Sequence, residues 1–223
     1  MEKPEALSGE SIRQAASESV RAGIGIHDRV HDLTLEALRS RRFDSKGIRE
    51  VVRAVAEGVA LGAESSRAEM RQSVADAFRG MDRALRMSAE AGQSALRQLV
   101  ATGRGFSDNE LKAALASMKR IEDDFIATVT QVADAAGERV QPELRKVLDE
   151  ARRSGTETGR QVASTLTEFA QRVSIASIDV TLAGIEAAGE FGARFAQLAG
   201  GVLSGVADAL RKPEAGKEEP PKA

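Results

Sequence analysis

Hydrophobic residues recur along this chain every eleven positions, in registers that run through most of its length. Eleven residues make three helical turns at about 3.67 residues per turn, close to the pitch of a straight α-helix. The registers are Met118, Val129, Val140, Ala151, Val162, Val173, Gly184, Phe195 and Val206; Phe125, Ala136, Val147, Thr158, Phe169, Val180, Phe191 and Val202; and, earlier, Ile48, Val59, Met70 and Met81 beside Val52, Ala63, Val74, Leu85 and Leu96. The pattern therefore predicts long amphipathic helices, each with an apolar stripe on one face.

The predicted fold class is all-α, because the alternating pattern of β-strands is absent. Helices are expected at about 9–41, 46–102, 108–153 and 160–210, in one elongated domain over residues 9–210. We expect them to pack as an antiparallel bundle or hairpin. Residues 1–8 are predicted to be a flexible leader, with Ser8 as the first N-cap, and 211–223 a disordered tail.

Three segments interrupt the stripe. The glycines at 103 and 105, followed by a capping box from Ser107 to Glu110, predict a reversal of the chain. Pro142 predicts a kink near 137–142 in the third helix, or a very tight reinitiation of the helix there, because the stripe stays in phase across it. Small residues fill the core positions of 152–160, which predicts a hinge or a turn with Thr156 as a cap.

The predicted helix at 160–210 has the richest apolar surface of the chain. It also contains more glycines and fewer charged residues than the preceding helices. Glycine in a helix interior costs up to about 1 kcal/mol, so its frequency favours close backbone packing or contact with an apolar surface. The residues predicted to bind such a surface are Phe169, Val173, Val180, Phe191, Phe195, Leu198, Val202, Leu203 and Val206.

Composition and charge narrow the classes of function. The chain has no Cys, Trp or Tyr, seven Phe and a formal net charge of −2. Acidic and basic residues are interleaved, which argues against the basic stripe of a nucleic-acid interface. The longest uncharged run, between Arg194 and Asp208, is too short for a transmembrane helix, and the N-terminal residues do not resemble a secretory signal. We therefore expect a cytoplasmic protein without a transmembrane span.

Candidate chemistry is sparse. His27 and His31 have the i, i+4 spacing that offers two metal ligands on one helical face, but no third ligand is evident, and a solvated polar face is the favoured interpretation. The acidic run 122–124 is likewise expected to be solvated. No nucleophile motif is present. We predict no catalytic residue, no metal and no cofactor.

The eleven-residue repeats, rich in Ala, Gly, Glu and Arg, are similar to the helices of exchangeable apolipoproteins and lipid-droplet coat proteins. The low aromatic content and the Lys/Pro/Ala/Glu tail after a long helical region resemble bacterial phasins, which coat polyhydroxyalkanoate granules. The resemblance spans about residues 45–223. It implies a protein that lies on the surface of a polymer granule or lipid inclusion.

The sequence thus favours a non-enzymatic protein that coats an apolar polymer or lipid surface through the helix at 160–210. The alternative is a structural coiled-coil or scaffold protein, which forms a homo-oligomer or binds another helical protein. A membrane-remodelling helical protein is a third hypothesis, since the last predicted helix is apolar enough to insert partly into a bilayer.

Overall fold

α-Helices are the regular elements of the described part of the chain, which confirms the predicted all-α class. The structure is a computed structural model that describes residues 7–41, 44–65, 69–102, 108–169 and 195–205. Residues 195–205 are helical as well. The remaining helices are α1 Gly9–Ala22, α2 Ile26–Arg39, α3 Ser45–Ser65, α4 Met70–Thr102, α5 Asp108–Ala135, α6 Gln141–Ser154 and α7 Glu157–Phe169.

The predicted helix at 9–41 is wrong in one respect, since it is two helices. Gly23 and Gly25 adopt positive φ values of 68° and 60°, a conformation that glycine reaches without steric cost. The chain reverses there, so that Arg41, just after α2, donates a hydrogen bond of 3.2 Å to the carbonyl of Leu7, just before α1. Ser8 caps α1 as predicted, because its side chain accepts from the backbone N–H of Ser11 at 3.0 Å. Leu7 is thus held by the fold, and residues 1–6 of the predicted leader lie outside the described residues.

The continuous helix predicted at 46–102 is also divided. α3 ends at Ser65 and α4 begins at Met70, within the stretch where small residues weaken the apolar stripe. A single helix of this length would leave much of its stripe without a partner, whereas two helices bury it against each other and against α1 and α2. The reversal predicted at 103–107 lies outside the described residues, between the end of α4 and the start of α5.

Of the two alternatives at 137–142, the kink is wrong, because the structure has a tight turn between two helices there. α5 ends at Ala135, and Pro142 lies in the first turn of α6, where its missing N–H would have no helical partner in any case. α6 then runs back along α5, because Arg145 bonds Asp134 at 3.0 Å and Arg152 bonds the hydroxyl of Thr130 at 3.1 Å. The apolar stripe keeps its eleven-residue spacing across Pro142 because the turn between α5 and α6 is short, and not because one bent helix continues through it.

The second predicted break, at 152–160, is confirmed as a turn. α6 ends at Ser154, Gly155 has a φ of +74°, and α7 begins at Glu157. Thr156 is its cap, since its hydroxyl accepts from the backbone N–H of Gly159 at 2.8 Å. Of the helix predicted at 160–210, the structure describes 160–169 and 195–205, both helical, and the tail at 211–223 lies outside the described residues.

The helices form three stacked hairpins: α1 with α2, α3 with α4, and α5 with α6 and α7. The first members of the hairpins run parallel to one another, because contacts between them keep a nearly constant sequence separation. Arg13–Glu57 and Arg21–Ser65 are both 44 residues apart, and Arg49–Asp124 and Arg53–Gln131 are 75 and 78 apart. An antiparallel pair would change this separation with every turn.

The second helices of the hairpins, α2, α4 and the pair α6 and α7, likewise run parallel to one another. His31 of α2 contacts Met87 of α4 across 56 residues, and α4 contacts α7 from Asp82 to Thr158, 76 residues apart, and from Gln93 to Glu168, 75 apart. The two arms of each hairpin are therefore antiparallel, as predicted, with α6 and α7 following one another in the same direction along the third hairpin. Each hairpin packs on the next in a parallel sense. Stacked helix pairs of this kind bury a continuous core between successive units.

The apolar repeat becomes this core. Met118, Val129, Val140, Ala151 and Val162 are all buried, as are Ile48, Val59 and Met81 of the earlier register. The rings of Phe78 in α4 and Phe125 in α5 stack with their centroids 4.9 Å apart. α4 is the central helix, because it contacts α2, α3, α5, α6 and α7. Alanine supplies a large part of the core, so little side-chain volume lies between the helices.

Close approach of α1 and α3 depends on Gly62. A Cβ built there would lie 2.6 Å from the carbonyl oxygen of Ser17 and 2.9 Å from the Cβ of Val20. Both neighbours belong to α1, and one of them is backbone, so neither has a flexible end that moves away. The parallel packing of the first two hairpins thus requires a residue without a side chain at this position.

We expect Gly62→Ala to lower the free energy of unfolding by about 1–3 kcal/mol, since overpacking outweighs the higher helix propensity of alanine. Urea unfolding followed by circular dichroism measures the change. Gly200→Ala is the matched control, because a Cβ there meets none of the described residues within 4 Å; it is expected to leave stability unchanged or raised by up to about 1 kcal/mol. Equal effects of the two substitutions would contradict the close-packing role of Gly62.

Candidate functional site

The residues predicted to bind a surface divide into three groups in the structure. Phe169, Phe195 and Leu203 are buried in the core, and Leu198 and Val202 are half-buried against it. Val173, Val180, Phe191 and Val206 lie outside the described residues. The described members therefore belong to one continuous core with the hairpins, and binding to an external surface stays a prediction.

The helical segment 195–205 packs beside the C-terminal half of α4. Phe195 lies against Gly92, since a Cβ built on that glycine would be 3.5 Å from Cζ of the ring. Further along, Leu198 and Val202 line a shallow groove with Leu99 of α4. Phe195, Ala199 and Leu203 form the buried face of the segment at helical spacing, and the groove marks its margin.

Gly201 and Gly205 are exposed on the side of this segment that faces away from the core, together with Gln197, and Gly200 is half-buried. A Cβ built at Gly200, Gly201 or Gly205 would meet nothing within 4 Å among the described residues, in contrast to Gly62. Close packing between the described helices therefore does not account for these three glycines. The sequence 195–205 also contains no charged residue, so this side of the segment is uncharged.

A second feature is polar and lies where α6 meets α7. Asp82 of α4 is only 7% exposed, and its two carboxylate oxygens accept the backbone N–H groups of Glu157 at 2.8 Å and Thr158 at 3.0 Å. The hydroxyl of Thr158 lies 2.7 Å from the same carboxylate. A carboxylate from a different helix thus satisfies the free N–H groups at the N-terminus of α7, where negative charge is also favoured by the helix dipole.

α5 holds the same turn from the other side. The hydroxyl of Thr156 donates to Glu122 at 2.7 Å, and Gly159 leaves room for that carboxylate, because a Cβ there would collide with it. The expectation that the acidic run 122–124 is solvated is wrong for two of its members. Glu122 engages α7, and Asp124 pairs with Arg49 of α3.

A third set of polar contacts joins the far end of α7 to α4. Arg97 makes a two-point ion pair with Glu168 at 2.6 and 2.7 Å, and Gln93 also donates to that carboxylate. Gln161 in turn donates to the side-chain oxygen of Gln93 at 2.7 Å. Hydrogen bonds from Arg97 hold the pKa of Glu168 below its ordinary value, and the same pairing raises the pKa of Arg97.

The two histidines are tied to neighbouring residues. His27 and His31 each place Nδ1 beside the next carboxylate, at 2.7 Å from Asp28 and 2.9 Å from Asp32. His31 is buried, with Nε2 at 3.2 Å from the sulfur of Met87, so it belongs to the α2–α4 interface rather than to a solvated face. The pKa of Asp28 is lowered, chiefly by its hydrogen bond with His27.

The described residues offer neither a cluster of metal ligands nor a membrane-spanning helix. Within them, no three or more His, Asp or Glu side chains gather in a way that suits a metal ion. In the same ranges, no helix combines the length and the hydropathy needed to cross a membrane.

Comparison with known families assigns the chain to a group defined by sequence. A family model described as a family of unknown function (DUF6781) matches residues 2–212. The chain belongs to this family. The match spans all three hairpins and the segment 195–205. No curated protein and no solved structure matches this DUF6781 chain.

Most of these contacts were not predicted from the sequence. Thr156 was identified as a cap, but the carboxylates that hold α7 were not. One feature of the sequence could have pointed to Asp82. It lies between the apolar stripe residues Met81 and Leu85 on the same predicted helix. An acidic side chain inside such a stripe indicates a partner elsewhere in the fold.

The depressed pKa of Glu168 gives a pH dependence with a defined sign. A carboxyl whose pKa is lower in the folded state stabilises the fold above its unfolded-state pKa and loses that contribution as the pH falls through the folded value. Glu168→Gln should therefore cost on the order of 0.5 kcal/mol at pH 7, since the pair is partly exposed, and progressively less towards pH 3. Urea unfolding at several pH values measures this. Glu150→Gln, which removes an exposed pair within α6, is the control, and an unchanged pH profile for Glu168→Gln would contradict the assignment.

Proposed function

We propose that this DUF6781 protein is a non-enzymatic helical protein that associates with an apolar surface, namely a polymer granule or a lipid inclusion in the cytoplasm. The observation that carries the proposal is the uncharged glycine side of residues 195–205 beside the half-buried Leu198 and Val202. Exposed glycines weaken a helix in water, so their presence is better explained by a surface that the helix approaches closely. The resemblance to phasins and lipid-droplet coat helices supports the same function.

The charge of this segment favours a neutral surface. Amphipathic helices that bind anionic lipids carry Lys and Arg along the polar face, and residues 195–205 carry none. The neighbouring polar residues on the groove, Gln98 and Gln197, are uncharged as well. A polyester or triglyceride surface therefore fits the segment better than an acidic membrane.

Flotation with a neutral-lipid emulsion or with polyester granules tests the proposal. The double substitution Gly201→Glu/Gly205→Glu adds charge to the open side of the segment without entering the core, and we expect it to reduce binding at least tenfold. Gly9→Glu is the control, because a Cβ there also meets none of the described residues within 4 Å. Wild-type binding by the double variant, or no binding by the unmodified protein, would overturn the proposal.

A second candidate function is that of a scaffold that binds another helical protein or a second copy of itself. The observation that favours it is Leu61, which is 48% exposed on α3. Leu61 lies with Ala60, Val132 and Ala136 in a groove between α3 and α5 with a volume of about 490 Å³. Such a groove accepts an apolar side chain from a partner helix.

Light scattering without any lipid or polymer tests this second function. If copies of the chain meet at the groove, the protein is a defined oligomer that Leu61→Glu converts to monomers. Ile24→Glu is the control, because Ile24 is 79% exposed but lies at the α1–α2 turn. A wild-type monomer at every concentration would exclude self-association, and an oligomer that survives Leu61→Glu would exclude this groove as its interface.

A further inference from the structure

α7 is fastened to the rest of the fold mainly by polar contacts. Its buried residues are Thr158, Val162, Thr165 and Phe169, so only two of the four bury a sizeable apolar side chain. The polar contacts described above hold both of its ends to α4, and Glu122 holds its first turn to α5. Releasing α7 from its neighbours therefore exchanges several hydrogen bonds with protein for hydrogen bonds with water. It also exposes a narrow apolar face formed by Val162, Leu166 and Phe169.

The turn before α7 has the geometry of a hinge. Gly155 has a positive φ, and the nearest atom to a Cβ built there is Nη1 of Arg160, 3.9 Å away. A cavity of about 510 Å³ lies beside it, between α4 and the α6–α7 junction, with Phe78 and Val147 in its wall. The backbone on this side is not closely packed, so rotation at Gly155 meets little resistance.

We infer that α7 is a latch, held shut by Asp82, Glu122 and the Arg97–Glu168 pair, that swings away from α4 and α5 at Gly155. Opening frees the apolar face of α7, with Val162 and Phe169, and uncovers the α4 and α5 side chains beneath it. This inference rests on the proposed function, because an apolar surface would supply the burial that the freed faces lose. The latch keeps those faces within the fold until the surface is present.

Hydrogen exchange in the absence of any surface tests whether α7 opens by itself. Asp82→Asn replaces one acceptor oxygen with an amide that cannot accept, so the exchange of residues 156–169 should rise at least tenfold while that of α1 and α3 is unchanged. Asp149→Asn, on the exposed side of α6, is the control and should change neither region. Thr156→Ala, which removes the cap and the bond to Glu122, is a milder second variant for the case in which Asp82→Asn does not fold.

Exchange that rises equally in α1, α3 and α7 would overturn the inference, because α7 would then unfold only with the whole protein. Unchanged exchange in both latch variants would overturn it as well.

A covalent lock tests whether opening matters for binding. The chain has no native Cys, so Arg97→Cys/Glu168→Cys can be joined by a short bis-maleimide in place of the ion pair. The joined protein should bind neutral-lipid emulsion at least tenfold less than the same variant capped with N-ethylmaleimide.

Equal binding by the joined and capped forms would overturn the role of the latch and leave the proposed function intact. Failure of both forms and of the unmodified protein to bind would overturn the proposed function and, with it, the role of the latch in binding; opening of α7 is then decided by the exchange measurement alone.

Discussion

The fold depends on close contact between helices that have little side-chain volume between them. α1 and α3 meet through Gly62 and its neighbours on α1, and alanines supply a large part of the buried side chains of the fold as a whole. Dispersion contacts between such helices fall off steeply with distance, so a small separation of the backbones removes much of the attraction. Stacking of the hairpins extends these contacts over several helical turns of each pair, and this compensates for the small area that each residue buries.

The third hairpin is held differently from the first two. Where α1 meets α3 through small residues, α7 meets α4 and α5 through carboxylates, hydroxyls and amides. The buried Asp82 is costly to desolvate unless its partners are in place, and the N-terminus of α7 supplies them. The attachment of α7 therefore depends on hydrogen bonds that water can replace, whereas the contact of α1 with α3 depends on close packing.

The apolar registers predicted the helical class and the core, because the period of a buried stripe is a local property of the chain. Met118, Val129 and Val140 are buried as the repeat requires. The helix ends at Gly23 and Ser65 were missed, since periodicity alone does not distinguish one long helix from two whose stripes stay in phase. The Thr156 cap was predicted because a cap acts within three residues. The role of Asp82 was not, because its partners lie 75 and 76 residues away in the chain.

The nearly constant separation between contacting residues has a consequence for how such a chain can change in length. From the second hairpin to the third, the separation is 75 to 78 residues in one layer and 68 to 76 in the other. A residue inserted within α5 would rotate every later side chain of that helix by about 100° and so displace those side chains from their partners on α3. A residue inserted in a turn between helices would leave the contacts within each helix pair in register.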